Sequence, residues 1–252
     1  MSTDHELAAA IAQRAGELLI EVRATAQSEG LDDKATRSRG DLTSNDLILA
    51  ELARERPDDA VLSEESKDDP IRLQAARVWI VDPLDGTREF SEFGRNDWAV
   101  HVALVEGGTP TAAAVALPAL GEVLSTASPP KLAAAHAGAP RLVVSRTRPP
   151  AVTTYLAETL NAELVPMGSA GAKTMAVVRG EADVYAHGGG QYEWDSAAPV
   201  GVAAAAGLHV SRLDGSPLVY NQPDPYLPDL LVCRPELVDA VLAALASAPP
   251  EP

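Results

Sequence analysis

Apolar residues recur at helical spacing from the start of the chain: Leu7, Ile11, Ala15, Leu18 and Val22 follow Thr3-Asp4-His5-Glu6, a run with the form of a capping box. This predicts a long amphipathic helix. A polar, glycine-containing stretch from Ser28 to Gly40 comes next, and a second helix is predicted from near Ser44 through Leu47, Ile48 and Leu52 to Pro57. The residues before it, Arg39 to Thr43, read as a loop. Val61 and Leu62 form a short strand that ends in Ser63-Glu64-Glu65-Ser66. Val78 to Val81 suits a covered, pleated strand, and Pro83 and Gly86 should break its ladder and turn the chain.

From Trp98 to Thr126 the pattern is that of an antiparallel meander: Trp98 to Val105, a turn at Glu106-Gly107-Gly108, Thr111 to Leu117, a turn from Pro118 to Gly121, then Glu122 to Thr126. A loose segment rich in Ala, Gly and Pro, Ser128 to Pro140, marks a boundary between two halves. Beyond it strands and helices alternate: strand Leu142 to Ser145, helix Pro149 to Asn161, strand Glu163 to Pro166, helix Ser169 to Arg179, strand Ala182 to Ala186. That alternation predicts an α/β half. Trp194-Asp195-Ser196 then opens an alanine-rich helix to Ala206, with Asp195 near its positive end.

With 252 residues and 46 % hydrophobic content, the chain has the material for a sizeable core in one large domain or two modest ones. Its net charge of −16 opposes nonspecific binding to nucleic acid or to an anionic membrane surface. An anionic substrate would need local cations, and bound metals are the natural source. The lone cysteine, Cys233, sits in an apolar segment and reads as a buried thiol in a reducing compartment. There is no signal-peptide pattern at the start and no stretch of membrane-spanning length, so a cytoplasmic location is expected.

Chemistry concentrates where apolar runs end. Glu64, Glu65, Asp82, Asp85 and Asp195 each lie at the edge of a regular element, next to residues that should be buried. Carboxylates brought together without cations repel, whereas divalent ions remove that conflict. Two-metal phosphoryl hydrolysis needs such a set, and Thr87 is placed to orient a water and pass its proton to a carboxylate. Each piece also has a plainer reading: Glu64-Glu65 as a solvated acidic pair, Asp195 as a helix cap, Pro83 to Gly86 as an ordinary turn. Their combination favours a metal site.

Other chemistries lack their signatures. No phosphate-binding loop of the Gly-x-x-x-x-Gly-Lys-Ser/Thr type is present, and Gly188-Gly189-Gly190 reads as a hinge or tight turn. His5, His101, His136, His187 and His209 lack zinc-ligand spacing and read as ordinary surface or partly buried histidines. A nucleophile elbow is also missing.

Ser63-Glu64-Glu65-Ser66, Asp82-Pro83-Leu84-Asp85-Gly86-Thr87 and Glu193-Trp194-Asp195-Ser196-Ala197-Ala198 resemble the three signatures of the inositol monophosphatase superfamily. The resemblance implies an α/β fold, a layered α-β-α-β-α sandwich of the inositol monophosphatase/fructose-1,6-bisphosphatase type. It sets the site between an N-terminal α+β half, residues 1–138, and a C-terminal α/β half, residues 139–252, that supplies Asp195. It implies two or three Mg2+ ions on Glu64, Asp82, Asp85, Asp195 and the backbone carbonyl of Leu84. Thr87 becomes the water-activating hydroxyl, with Asp41 or Glu65 as its carboxylate partner. Gly86 and Thr87 would offer N–H groups to phosphate, and Ser169, Lys173 and Glu193 match substrate-side positions. The first loop, Asp41-Leu42-Thr43-Ser44-Asn45-Asp46, is one position shorter than the family's, which leaves the general base open among Asp41, Asp46 and Glu65.

Asp85-Gly86-Thr87-Arg88-Glu89-Phe90 resembles the bacterial CysQ branch, whose members dephosphorylate 3′-phosphoadenosine 5′-phosphate; inositol phosphatases usually carry Asn in place of Glu89. Gly94 to His101 and Ser211 to Leu218 are also similar to actinobacterial members of that branch. The implied activity is lithium-sensitive hydrolysis of the 3′-phosphate, with Arg88 near a second phosphate. A broad inositol or sugar phosphatase and a non-catalytic metal- or nucleotide-binding regulator are the competing readings. The regulator would have lost a ligand or Thr87, and neither is missing. Homodimers are common in the family.

Overall fold

The computed structural model describes residues 2–147 and 149–248. Thr3 caps helix α1 (Asp4–Glu29) as its sequence predicts: its hydroxyl accepts from Glu6 N at 3.2 Å, and Glu6 Oε2 accepts from Thr3 N at 2.9 Å. Helix α2 (Asp33–Glu55) departs from expectation, because it begins at Asp33 and not near Ser44. Asp32 caps it, accepting from Ala35 N at 2.8 Å, so Arg39 to Thr43 is helix and not loop. Gly40 is no breaker here. A Cβ at that position would stand 2.8 Å from both Leu84 and Phe90, so the glycine lets α2 lie close against the chain that carries the acids.

The first sheet has the order β1 (Ala60–Ser63), β2 (Arg77–Asp85), β3 (Ala99–Glu106), β4 (Thr109–Leu117), β5 (Glu122–Ser125). Its β1–β2 pair is parallel and the rest is the expected antiparallel meander. The expected break at Pro83 is instead a bulge: Asp82 pairs with His101 and Asp85 with Ala99, three steps on β2 against two on β3. Short helix α3 (Thr87–Ser91) follows at once.

The second sheet collects β6 (Arg141–Ser145), β7 (Glu163–Met167), β8 (Val184–His187), β10 (His209–Ser211) and β12 (Leu230–Cys233) in the order β10-β12-β8-β6-β7. The α/β alternation makes β6, β7 and β8 parallel, while β12 and β10 return antiparallel. A ribbon of β9 (Gln191–Tyr192) and β11 (Tyr226–Leu227) closes one end. Helices α4 (Ala151–Leu160), α5 (Ala170–Val178), α6 (Glu193–Ala205) and α7 (Val238–Ala246) complete the chain.

Three buried clusters fix the layering. One joins α1 and α2 to the first sheet around Ile11, Leu19, Trp79 and Trp98; a second fills the space between the two sheets with α5 and α6; a third joins the second sheet to α4 and α7. The result is an α-β-α-β-α sandwich. Helix α6, drawn from the second half of the sequence, packs across β2, β3 and β4 of the first sheet. Cys233 is buried on β12, and burial pushes its thiol up to about 12. Among the described residues no helix is long and apolar enough to cross a membrane.

Candidate active site

Strand β2 carries its apolar residues into the core and ends in the bulge, which aims Asp82 and Asp85 at a common point. Leu84 N donates to Asp82 Oδ1 at 3.0 Å, and Ser44 of α2 donates to the Pro83 carbonyl at 2.7 Å. From the other half, α6 brings Asp195 on its first turn, where Asp195 Oδ2 accepts from Tyr192 N at 2.7 Å. It therefore serves as a capping residue and joins the cluster as well. One carboxylate oxygen each from Asp82, Asp85 and Asp195 lies within 4.8 Å of the other two.

Burial and mutual repulsion set the charges. Asp82 is fully buried, and burial with the neighbouring Glu64, Asp85 and Asp195 drives it well above the ordinary carboxylate range. Asp195 is pushed up to about 6 by burial and by Asp85. Glu64 stands exposed at the rim, yet the surrounding protein and Asp195 raise it to about 7, against a hydrogen bond with Asp82. Asp85 goes the other way. Burial alone would raise it, but His101, Ser169 and the N–H of Gly171 together hold it at about 2. Its Oδ2 accepts from Ser169 Oγ and from Gly171 N at 2.6 Å, while Oδ1 accepts, among the described residues, only from Ala170 N at 3.2 Å. Oδ1 is thus the oxygen open to a further partner. A crowded acid set of this kind fits hard divalent cations, which would favour the charged forms that crowding disfavours at Asp82, Asp195 and Glu64.

His101 is a residue the sequence reading missed, since it is neither on the surface nor partly exposed. It is wholly buried on β3, with Nδ1 3.0 Å from the Trp194 carbonyl and Nε2 3.3 Å from Asp85 Oδ2. Because a carbonyl only accepts, Nδ1 carries a proton, and burial is outweighed by Asp85 in raising the imidazole's pKa. His101 thereby ties the strand carrying Asp85 to the turn carrying Asp195. A Cβ on Gly171 would come within 2.0 Å of its Nε2, so α5 seats against the ring only through that glycine.

Thr87 opens α3, half-buried, directly after the bulge. Asp41 lies half-buried on α2, where burial and the charge of Glu65 push it up to about 7. Asp46, five residues further along that helix, is exposed and lies about 140° round from Asp41. Asn45 holds the Ser63–Ser66 turn instead: Ser63 Oγ donates to its Oδ1 at 2.7 Å, and its Nδ2 donates to Ser66 Oγ at 3.4 Å. Neither Ser44 nor Asn45 was distinguishable in sequence from other polar helix residues.

On the other wall, Ser169 caps α5 with φ 50°. Lys173 is buried, its Nζ 3.5 Å from the Gly168 carbonyl and 5.3 Å from the Tyr185 ring centre, with no carboxylate at ion-pair distance among the described residues. Burial lowers its pKa. Glu193 has both oxygens engaged, accepting from Asn221 N and Gln222 N at 2.7 Å each. Arg88 is exposed and meets Glu92 at 3.6 Å.

Residues 1–248 match the model of the inositol monophosphatase family. The chain belongs to that family. This family member is 53 % identical over 256 residues to a 3′-phosphoadenosine 5′-phosphate phosphatase of Mycobacterium leprae, covering 96 % of this chain and 93 % of that one. A Mycobacterium bovis protein of the same name is 56 % identical over 243 residues, covering 93 % and 90 %. Among solved structures, CysQ from Bacteroides thetaiotaomicron matches with a TM-score of 0.79 at 28 % identity, over 91 % of this chain and 96 % of that one. Inositol monophosphatase family membership accounts for the layered sandwich and for the acids gathered between its two sheets.

Proposed function

We propose that the chain is a magnesium-dependent phosphatase that hydrolyses the 3′-phosphate of 3′-phosphoadenosine 5′-phosphate to AMP and phosphate. The observation that carries this reading is the triad of Asp82, Asp85 and Asp195, with the buried Lys173 near enough for the charges of Asp85 and Asp195 to act on it. Two or three Mg2+ ions would be held by Glu64, Asp82, Asp85, Asp195 and the Leu84 carbonyl. When bound, they would neutralise phosphate charge and make water a better nucleophile. Everything else falls to the chain's own groups.

Thr87 orients the attacking water and relays its proton to Asp41 or Glu65, two carboxylates near enough for the charge of Glu65 to raise Asp41. The exposed, well-separated Asp46 is the weakest of the three candidate bases. Attack on phosphorus breaks the bond to the 3′-oxygen, which leaves as the 3′-hydroxyl once the proton taken up by the carboxylate has passed to it through solvent, and no phosphoenzyme forms. Gly86 and Thr87 N–H groups serve the transferred phosphate. Lys173 serves the second phosphate, because a buried ammonium held in no ion pair among the described residues is the natural counter-ion for a substrate anion, while Ser169, whose hydroxyl donates to Asp85, holds that carboxylate in place. Glu193 acts by holding the Asn221-Gln222 turn. Phosphate release from the bisphosphate nucleotide, compared with inositol 1-phosphate and fructose 1,6-bisphosphate, tests the assignment. A higher kcat/KM for inositol 1-phosphate would overturn it.

A further inference from the structure

Glu89 is held in an ion pair with an arginine far along the chain. It is buried on α3, and its Oε1 accepts from Arg146 Nε at 2.6 Å, while Arg146 Nη2 donates to Glu92 Oε1 at 2.7 Å. Arg146 directly follows β6, so this ion pair ties the helix that begins with Thr87 to the second sheet. The same arginine's N–H donates to the Met167 carbonyl at 3.2 Å, at the end of β7. Gly168 comes next and rests on Glu89: a Cβ there would be 2.2 Å from the Glu89 carboxyl carbon. Its N–H donates to Asp97 Oδ2 at 2.6 Å, and its carbonyl faces Lys173 Nζ. A continuous line of contacts thus runs from Glu89 through Arg146, Met167 and Gly168 to Lys173.

We propose that Glu89 and Arg146 form a specificity-determining couple, positioning the Gly168–Lys173 segment so that Lys173 meets the second phosphate of a bisphosphorylated nucleotide. Neither residue touches the reacting phosphate; both act through Lys173 as positioning residues. Breaking a buried pair from one side leaves the other charge uncompensated, so the partner and the backbone it holds must shift. A small monophosphate needs no such register. The inference rests on the bisphosphate reading given above.

The test compares 3′-phosphoadenosine 5′-phosphate with 3′-AMP, substrates that differ only in the 5′-phosphate. Glu89→Asn and Arg146→Met are each expected to lower the ratio of their kcat/KM values by roughly tenfold, through KM for the bisphosphate, the scale of one misplaced charge-assisted contact. Turnover of 3′-AMP should stay within about twofold, which a merely structural loss would not allow. The double variant should fall no further than either single one, since both sever the same link. Should Glu89→Asn fail to fold, Glu89→Gln and Arg146→Gln carry the same comparison. An unchanged ratio overturns the couple. So does a raised ratio, which would make Glu89 only a repelling charge. Wild-type enzyme with no preference between the two nucleotides overturns the bisphosphate reading and takes this inference with it.

Discussion

Replacing Asp82 by Asn should make the metal-free protein more stable while abolishing its activity. The oxygens of Asp82, Asp85 and Asp195 lie within 4.8 Å of one another, and at an effective dielectric constant of about 20 each fully charged pair at that distance costs about 3.5 kcal/mol. Two such pairs meet at Asp82. The fold relieves them by raising the Asp82 carboxyl well above the ordinary carboxylate range, and a proton held there lowers the penalty. Asparagine keeps the acceptor for Leu84 N and carries no charge. With relaxation around the exposed Glu64, we expect a net gain of about 2 kcal/mol, or about 4–8 °C in Tm for a chain of this size. The sign follows from linkage. A carboxyl with a raised folded pKa contributes its full stability below the unfolded value and loses it as pH rises, so the variant's advantage should vanish near pH 4. Thermal unfolding of EDTA-treated wild type and variant, with and without Mg2+, measures this. Magnesium at about 100 times its Kd should add about 2.7 kcal/mol to the wild type and far less to the variant. A metal-free variant no more stable than wild type at pH 7.5, or one stabilised equally by Mg2+, would refute the reasoning.

Asp41→Asn should cut turnover by on the order of a hundredfold, within the usual range for a lost general base, whereas Asp46→Asn should leave it unchanged; steady-state phosphate release separates them. If Asp41 is the base, its raised value of about 7 means that it is protonated below that pH, so wild-type kcat should fall as pH drops through about 7 and the Asp41→Asn residue of activity should not. Gly171→Ala drives a methyl group to within 2.0 Å of His101 Nε2 and should cost about 3 kcal/mol in urea unfolding and weaken Mg2+ binding, read by titration. Ser44→Ala removes the buried contact to the Pro83 carbonyl and should cost about 1–2 kcal/mol and slow phosphate release several-fold.

The sequence made Asp82, Asp85 and Asp195 legible as a group because each lies at the edge of a regular element beside residues that should be buried, and the fold brings these three together. It also made the meander legible, since its turns at Glu106-Gly107-Gly108 and Pro118 to Gly121 leave few other pairings. What it hid was set by tertiary contact. Gly40 looks like a helix breaker until Leu84 and Phe90 are seen against it, and so the start of α2 was misplaced and Asp41 read as a loop residue. His101 has no local signal, because its partners Asp85 and Trp194 lie far away in sequence. Glu89 was singled out as a discriminator, but its task depends on Arg146, more than fifty residues later. Residues that hold others in place are the ones a linear reading loses.

Helix α6 has a further consequence for how the molecule is made. Its first turn supplies Asp195 and the carbonyl that receives His101, yet it is packed as the middle layer against strands synthesised long before it. While the chain is emerging, the first sheet must stand with one face uncovered and with Asp82 and Asp85 lacking their third companion. A nascent chain that stops short of residue 195 lacks one of the three clustered carboxylates, and one that stops short of residue 205 lacks part of the helix that covers the sheet. The acid cluster is therefore complete only once the second half of the chain has been made.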